Sequence, residues 1–175
     1  MIGTGGSGKT TVARRLARRT GLPLIHLDAH YWRPGWQPTP ADEWRAQVQT
    51  FISRDTWIMD GNYGGTLDLR LEACDTVVFL DLPRLVCLWR VLRRQVQHFR
   101  QVRPELAPGC RERLSWEFLA WIWTYPSRRR GDTLRRLAVL DQRKRVAILR
   151  SSAAIEEFLA KLPETAAYVA GGPRG

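Results

Sequence analysis

The residues Gly3-Thr4-Gly5-Gly6-Ser7-Gly8-Lys9-Thr10-Thr11 carry the spacing G-x-x-x-x-G-K-[ST]. Glycines so placed let successive backbone N–H groups turn inward around a phosphate, a lysine at position 9 reaches the outer phosphates, and a hydroxyl at position 10 meets Mg²⁺. The chemistry implied is binding of ATP with Mg²⁺ by residues 3–11. The alternative is an ordinary glycine-rich turn that happens to contain Lys-Thr. A strand before the loop and a helix after it would separate the two.

Three acids stand at the ends of short apolar runs. Asp28 closes Leu24-Ile25-His26-Leu27, Asp60 closes Trp57-Ile58-Met59, and Asp81 closes Thr76-Val77-Val78-Phe79-Leu80. Each run reads as a buried parallel strand with its carboxylate at the carboxyl edge, where ligands sit in open α/β sheets. Asp28 is a candidate to hold a substrate hydroxyl or act as general base. Asp60, if its strand neighbours the glycine loop, can share Mg²⁺ with Thr10, and Asp81 is the second choice for that metal. Gly61, Gly64 and Gly65 would let backbone approach a ligand, whereas His26, inside its run, reads as a packed core residue.

The elements that must position these groups follow from periodicity. Residues 10–20 place Val12, Ala13, Leu16 and Ala17 on one helical face, and Gly21 with Pro23 closes that helix. Its N-terminus faces the loop, where unpaired amides favour phosphate. Only Met1 and Ile2 precede Gly3 where a strand of five or six residues is expected, which points to a start upstream of Met1. Residues 29–39, rich in Tyr, Trp and Pro, read as an ordered loop over the site. A helix follows, with Thr39 as N-cap, Pro40 at its first position, and Trp44, Val48, Phe51 and Ile52 as its stripe.

After Pro83 a helix is expected to bury Leu85, Leu88, Leu92, Val96 and Phe99 and to present Arg84, Arg90, Arg93, Arg94 and Arg100. Residues 103–136 read as a lid-like helical insertion. In it Ser115 caps one helix that ends at Tyr125-Pro126, Arg128, Arg129 and Arg130 follow, and Asp132 caps another. Its arginines could neutralise charge developing in phosphoryl transfer. A last strand over residues 145–149 precedes a helix capped by Ser152. Strands alternating with helices predict one three-layer α/β/α domain with a parallel sheet over residues 1–163, its first strand largely missing, and a disordered tail over 164–175.

Of the 28 basic residues only Lys9, Lys144 and Lys161 are lysines, and the formal net charge is +11. That balance favours anionic partners: nucleotides, phosphorylated metabolites or nucleic acid. Cys74, Cys87 and Cys110 have no zinc-site spacing and read as reduced thiols of a cytoplasmic protein. No apolar run approaches the roughly 18 residues that span a bilayer, so no membrane association is expected.

Five stretches carry a family resemblance: GTGGSGKTT, HLDAHYWRPGWQPTP, WIMDGNYGGTLDLRL, DTVVFLDLPRLVCLWRVLRR and WEFLAWIWTYPSRRR. Through them, from Gly3 to about Leu162, the chain resembles the bacterial topology-modulation proteins, FlaR-like, an adenylate-kinase-related P-loop NTPase family. More distantly it resembles nucleoside monophosphate kinases and the shikimate and gluconate kinases, which implies about five parallel strands and a lid. Asp60-Gly61 falls where adenylate kinases have an Asp-Gly-Phe-Pro-Arg turn. Here Asn62 and Tyr63 follow, so the monophosphate-clamping arginine is missing and AMP is not the expected acceptor.

The same resemblance matches Asp28 to the acceptor carboxylate of small-molecule kinases and Arg90 and Arg94 to catalytic arginines. It makes Arg128 to Arg130 the lid arginines. The activity it implies is ATP-dependent phosphoryl transfer to a small molecule, nucleoside or nucleotide, with Lys9, Asp28, Arg90, Arg94, Arg128 and Arg129 as catalytic groups. The alternative is a nucleotide-gated regulator that binds nucleic acid through its arginine-rich helices, although no helix-turn-helix, zinc or RNA-binding signature accompanies it.

Overall fold

The β-branched and aromatic run at residues 76–80 forms the strand around which the sheet is built. The computed structural model describes residues 1–97, 106–110, 115–140 and 144–162. Within these, β1 (Ile2–Gly3) leads through the glycine loop into α1 (Lys9–Thr20). Next come β2 (Leu24–His26), α2 (Leu27–Tyr31), β3 (Trp32–Arg33), β4 (Gln37–Pro38) and α3 (Ala41–Ile52). β5 (Ile58–Asp60), a 3₁₀ turn (Gly64–Thr66), α4 (Leu67–Ala73), β6 (Thr76–Leu80) and α5 (Arg84–Gln97) follow. The described chain closes with α6 (Trp116–Tyr125), a π turn (Pro126–Arg130), α7 (Gly131–Ala138), β7 (Arg145–Leu149) and α8 (Ser152–Ala160).

The fold is α/β, with a three-stranded parallel sheet in the order β1-β6-β7. Gly3 lies opposite Leu80, and Leu80 opposite Leu149. A second parallel pair sets β2 beside β5, with His26 opposite Asp60. Two backbone bonds lie between that pair and β1: the Met1 amino group donates to Met59 O at 2.5 Å and Gly61 N donates to Met1 O at 3.2 Å. β3 and β4 form a small antiparallel hairpin in the aromatic stretch that read as a loop.

Successive side chains of a strand point to opposite faces, and β6 uses both. Val78 and Leu80 pack with Val12 of α1, Cys87 and Val91 of α5, Ile122 of α6 and Ile155 of α8. Val77 and Phe79 pack with Ile2, Leu71, Tyr125 and Leu137 on the other side. A third cluster joins Ile25, Leu27 and Met59 to Trp44, Val48 and Phe51 of α3.

Several local expectations are corrected. On α5 the buried residues are Cys87, Val91 and Gln95, while Leu85, Leu92 and Val96 of the expected apolar stripe are 66%, 46% and 82% exposed. The two faces lie only one residue apart in register: Leu88 of the expected stripe still packs partly buried against the core, and the helix backbone at Cys87 lies close against Gly6 of the glycine loop. Phe99 and Arg100 lie outside the described residues, as do residues 103–105 and 111–114 of the expected insertion and the expected tail over 164–175.

Thr39 does not cap α3: its hydroxyl donates to Tyr31 O at 2.6 Å, and Pro40 occupies the cap position. Pro126 does not end the helical path, which passes through a π turn into α7; such turns absorb the hydrogen bond that proline cannot make. Asp132 is therefore inside a helix, where it pairs with Arg136 at 2.8 Å instead of capping. Ser151, not Ser152, caps α8 by accepting from Ala154 N at 3.1 Å. The helical part of the expected lid is built into the body, since Ile122 is fully buried between α5 and the sheet.

Candidate functional site

The glycines of the loop are required by close packing as much as by turning. A Cβ at Gly3 would stand 2.6 Å from Leu80 O, one at Gly5 2.6 Å from the Phe118 ring, and one at Gly6 2.3 Å from Cys87 O. Gly6 and Gly8 also hold positive φ, 75° and 94°, where a side chain is strained. Gly8 is the residue immediately before α1. Within the loop Thr4 and Ser7 are buried, and Thr11 is exposed on the first turn of α1.

Three of the candidate side chains gather here. Lys9 Nζ donates to Thr4 O at 2.9 Å, closing the loop on itself. Burial lowers the Lys9 ammonium below the usual lysine range, and the charges of Asp60 and Asp28 offset part of that. Thr10 Oγ1 donates to Asp60 Oδ2 at 2.7 Å, which is the juxtaposition expected of the two metal candidates. The same oxygen lies 3.2 Å from His26 Nδ1. Burial by itself would raise the Asp60 carboxyl, but the His26 bond, the Lys9 charge and the Thr10 hydroxyl together hold it below its ordinary value. Asp60 Oδ1 is buried and has no hydrogen-bond partner among the described residues.

His26 is thus not simply a core residue. β2 and β5 run in register, so His26 stands directly opposite Asp60. Asp28 falls beyond the strand, on the first turn of α2, because the chain turns helical at Leu27. Its Oδ1 accepts from the Tyr63 hydroxyl. Burial and the Asp28 charge push the Tyr63 phenol far up, so it stays protonated and can donate to that carboxylate.

The turn after Asp60 is organised by Asn62 and Arg70, neither of which is among the expected site residues. Asn62 Oδ1 accepts from Gly3 N at 2.9 Å and its Nδ2 donates to Gly3 O at 2.6 Å, so a side-chain amide pairs with the backbone of β1 as a neighbouring strand would. Arg70, buried on α4, donates to Gly61 O at 2.9 Å, to Tyr63 O at 3.0 Å and to Asn62 O, holding Tyr63 at a φ of 34°. Burial pushes the Arg70 guanidinium down to about 10. The D-G-N spacing gave a signal for Asn62. Arg70 gave none, because an arginine on a short helix reads as a solvated face.

The arginines divide. Arg90 donates to Ser7 O at 3.1 Å and to Ser152 Oγ at 3.1 Å, fastening the loop to the start of α8. Arg94 is half-buried and near enough to Lys9 for its charge to lower the lysine further. Arg128 and Arg129 are exposed on the π turn. Arg130 instead grips Asp81 with two bonds of 2.7 and 2.8 Å, and Arg150 adds a third at 3.3 Å. Asp81 is therefore engaged by two guanidiniums, and it is Asp60 that meets Thr10.

Residues 106–110 reach the aromatic hairpin: Leu106, Ala107 and Cys110 pack with Trp32 and Trp36, and Cys110 Sγ donates to Arg33 O at 3.3 Å. The two tryptophans meet edge to face. Among the described residues no group of three or more His, Cys, Asp or Glu is gathered to hold a metal, and no helix is long and apolar enough to cross a membrane. All three cysteines are free thiols.

No protein-family model matches this chain, and no curated protein matches it either.

Proposed function

We propose that this chain is an ATP-dependent phosphotransferase of the P-loop class, related to the kinases that its sequence resembles. The observation that carries the reading is the Thr10 hydroxyl bonded to Asp60 at the head of the helix behind the glycine loop. A loop followed by a helix N-terminus is a ready anion site. The Met1 bonds to Met59 and Gly61 support one sheet in the order β2-β5-β1-β6-β7, the five parallel strands that such a fold uses.

The donor set suits ATP and Mg²⁺. Asp60 keeps one buried oxygen without a partner among the described residues, as a carboxylate that receives a metal-bound water should. Lys9, now on Thr4 O, would turn to the outer phosphates, and Arg90 and Arg94 would face the charge spread over the transferring group. ATP with Mg²⁺ supplies the phosphoryl group and its electrophilic activation. Asp28 orients the acceptor hydroxyl and takes its proton, and Tyr63 fixes that carboxylate. Arg70 is committed to backbone carbonyls, which supports an acceptor other than AMP.

The test is transfer of radiolabelled γ-phosphate from ATP·Mg²⁺ to a panel of hydroxylated metabolites and nucleosides chosen by thermal shift. The expected result is a labelled product with at least one acceptor, lost in Asp28→Asn while ATP binding stays. ATP binding without transfer to any acceptor, or equal transfer by Asp28→Asn, contradicts the assignment.

A further inference from the structure

Two donors from different elements meet on one oxygen of Asp60. Thr10 Oγ1, on the first turn of α1, donates to Asp60 Oδ2 at 2.7 Å. His26 Nδ1, on β2, lies 3.2 Å from the same oxygen. The second contact is set by the backbone, since β2 and β5 pair in parallel with His26 opposite Asp60. The chemistry proposed above for the glycine loop gives His26 no part.

The role of each atom follows from what it can donate. An ionised carboxylate only accepts, and the Asp60 carboxyl is held below its ordinary value. His26 Nδ1 therefore carries the proton of its bond, as the Thr10 hydroxyl does of the other. A carboxylate oxygen has two lone pairs, so these two bonds fill Oδ2. Oδ1 keeps both of its own, and it is buried with no partner among the described residues. Thr10 has given its only proton to Asp60, which leaves its lone pairs for a cation. One bond to Thr10 would not fix the plane of the carboxylate, because the torsion about its last bond is broad. Two donors on one oxygen, one from α1 and one from β2, fix that plane and with it the place of Oδ1.

We propose that His26 is a positioning residue, which holds Asp60 Oδ2 beside Thr10 so that Oδ1 is presented to the water shell of the Mg²⁺ that accompanies ATP. The inference rests on the ATP·Mg²⁺ reading of the glycine loop and adds the residue that sets how strongly the metal contributes. Loss of a side chain that orients a metal-binding group typically weakens metal affinity by about 10- to 100-fold. Without His26 the Thr10 bond remains, so Asp60 keeps a partner while Oδ1 is no longer held in one place.

Calorimetric titration of ATP into the full chain, once in MgCl₂ and once in EDTA, tests this in the parent, His26→Phe and His26→Asn. Phenylalanine keeps a ring and removes both ring nitrogens, whereas asparagine offers an amide N–H near the place of Nδ1. The His26 side chain is 18% exposed, so both variants should fold; circular dichroism with thermal melting checks them, and His26→Ala replaces the phenylalanine variant if that one does not fold. The expected result is that Mg²⁺ strengthens ATP binding by the parent and that this gain falls about tenfold or more in His26→Phe. Affinity in EDTA should stay unchanged, and His26→Asn should recover most of the gain. An undiminished gain in the folded His26→Phe chain, equal weakening with and without metal as a merely structural role requires, or no recovery in His26→Asn overturns the proposal. A parent chain that binds no ATP, or binds it equally in MgCl₂ and EDTA, fails the ATP·Mg²⁺ reading itself and this inference with it.

Discussion

Replacing Asn62 by alanine should uncouple the glycine loop from the sheet. The side-chain amide makes two bonds to Gly3, at 2.9 and 2.6 Å, and does for β1 what a longer neighbouring strand would do. Asn62→Ala removes both and leaves a backbone N–H and a carbonyl of a buried glycine unpaired on that side. Each stranded group is destabilising by about 1–3 kcal/mol, but Asn62 is only half-buried and water relieves part of this, so the expected loss is about 2–4 kcal/mol. With a denaturant slope of about 2 kcal/mol per molar, the urea midpoint falls by about 1–2 M.

Asn62→Asp sharpens the test. Its carboxylate still accepts from Gly3 N but faces Gly3 O without a proton. Relative to the parent at the same pH, the variant should be as unstable as Asn62→Ala near neutral pH and close the gap towards pH 3, where the protonated acid can donate. Urea unfolding followed by tryptophan fluorescence reads both. An Asn62→Ala chain within about 0.5 kcal/mol of the parent, the range of an ordinary surface substitution, refutes the account of how β1 is held.

Other substitutions probe the packing. Gly6→Ala puts a methyl 2.3 Å from Cys87 O at a φ of 75°, so it should lose about 3 kcal/mol by overpacking and strain together. Gly35→Ala, at φ 77° with nothing within 4 Å, carries the strain alone and should lose about 1 kcal/mol. Val91→Ala should lose about 2 kcal/mol as a core truncation, whereas Leu92→Ser next to it should change stability by less than about 0.5 kcal/mol; thermal melts check this reversal of the expected α5 face. The Asp60 carboxyl titrates below its ordinary 3.8 in the fold. Its contribution is therefore fully present above about pH 4 and lost as pH falls through the lowered value. The stability gap between the parent and Asp60→Asn should be open at pH 6 and close progressively below pH 4.

The loop, the helix after it and the meeting of Thr10 with Asp60 were legible because each rests on local chemistry: glycines at fixed offsets, an amphipathic period, and an acid closing an apolar run. β6 was legible for the same reason. What escaped depends on register between distant segments. His26 reaches Asp60 only because β2 and β5 pair in phase, and Arg130 reaches Asp81 only because the helical path continues through Pro126. On α5 two stripes compete one residue apart, and only tertiary packing, which local periodicity does not carry, turns Cys87, Val91 and Gln95 inward. Asp28 reads as closing a strand, but the backbone turns helical at Leu27, which brings its carboxylate to the Tyr63 hydroxyl.

The central claim is that residues 3–11 with Asp60 form an ATP·Mg²⁺ site. Equilibrium binding of ATP·Mg²⁺ to the parent chain and to Lys9→Ala, with matched circular dichroism, tests it most directly. Loss of one charge-assisted phosphate contact is worth about 1.5–3 kcal/mol, so the variant should bind about 10- to 150-fold more weakly. Equal affinity in the two folded chains, or no measurable binding to the parent, contradicts it.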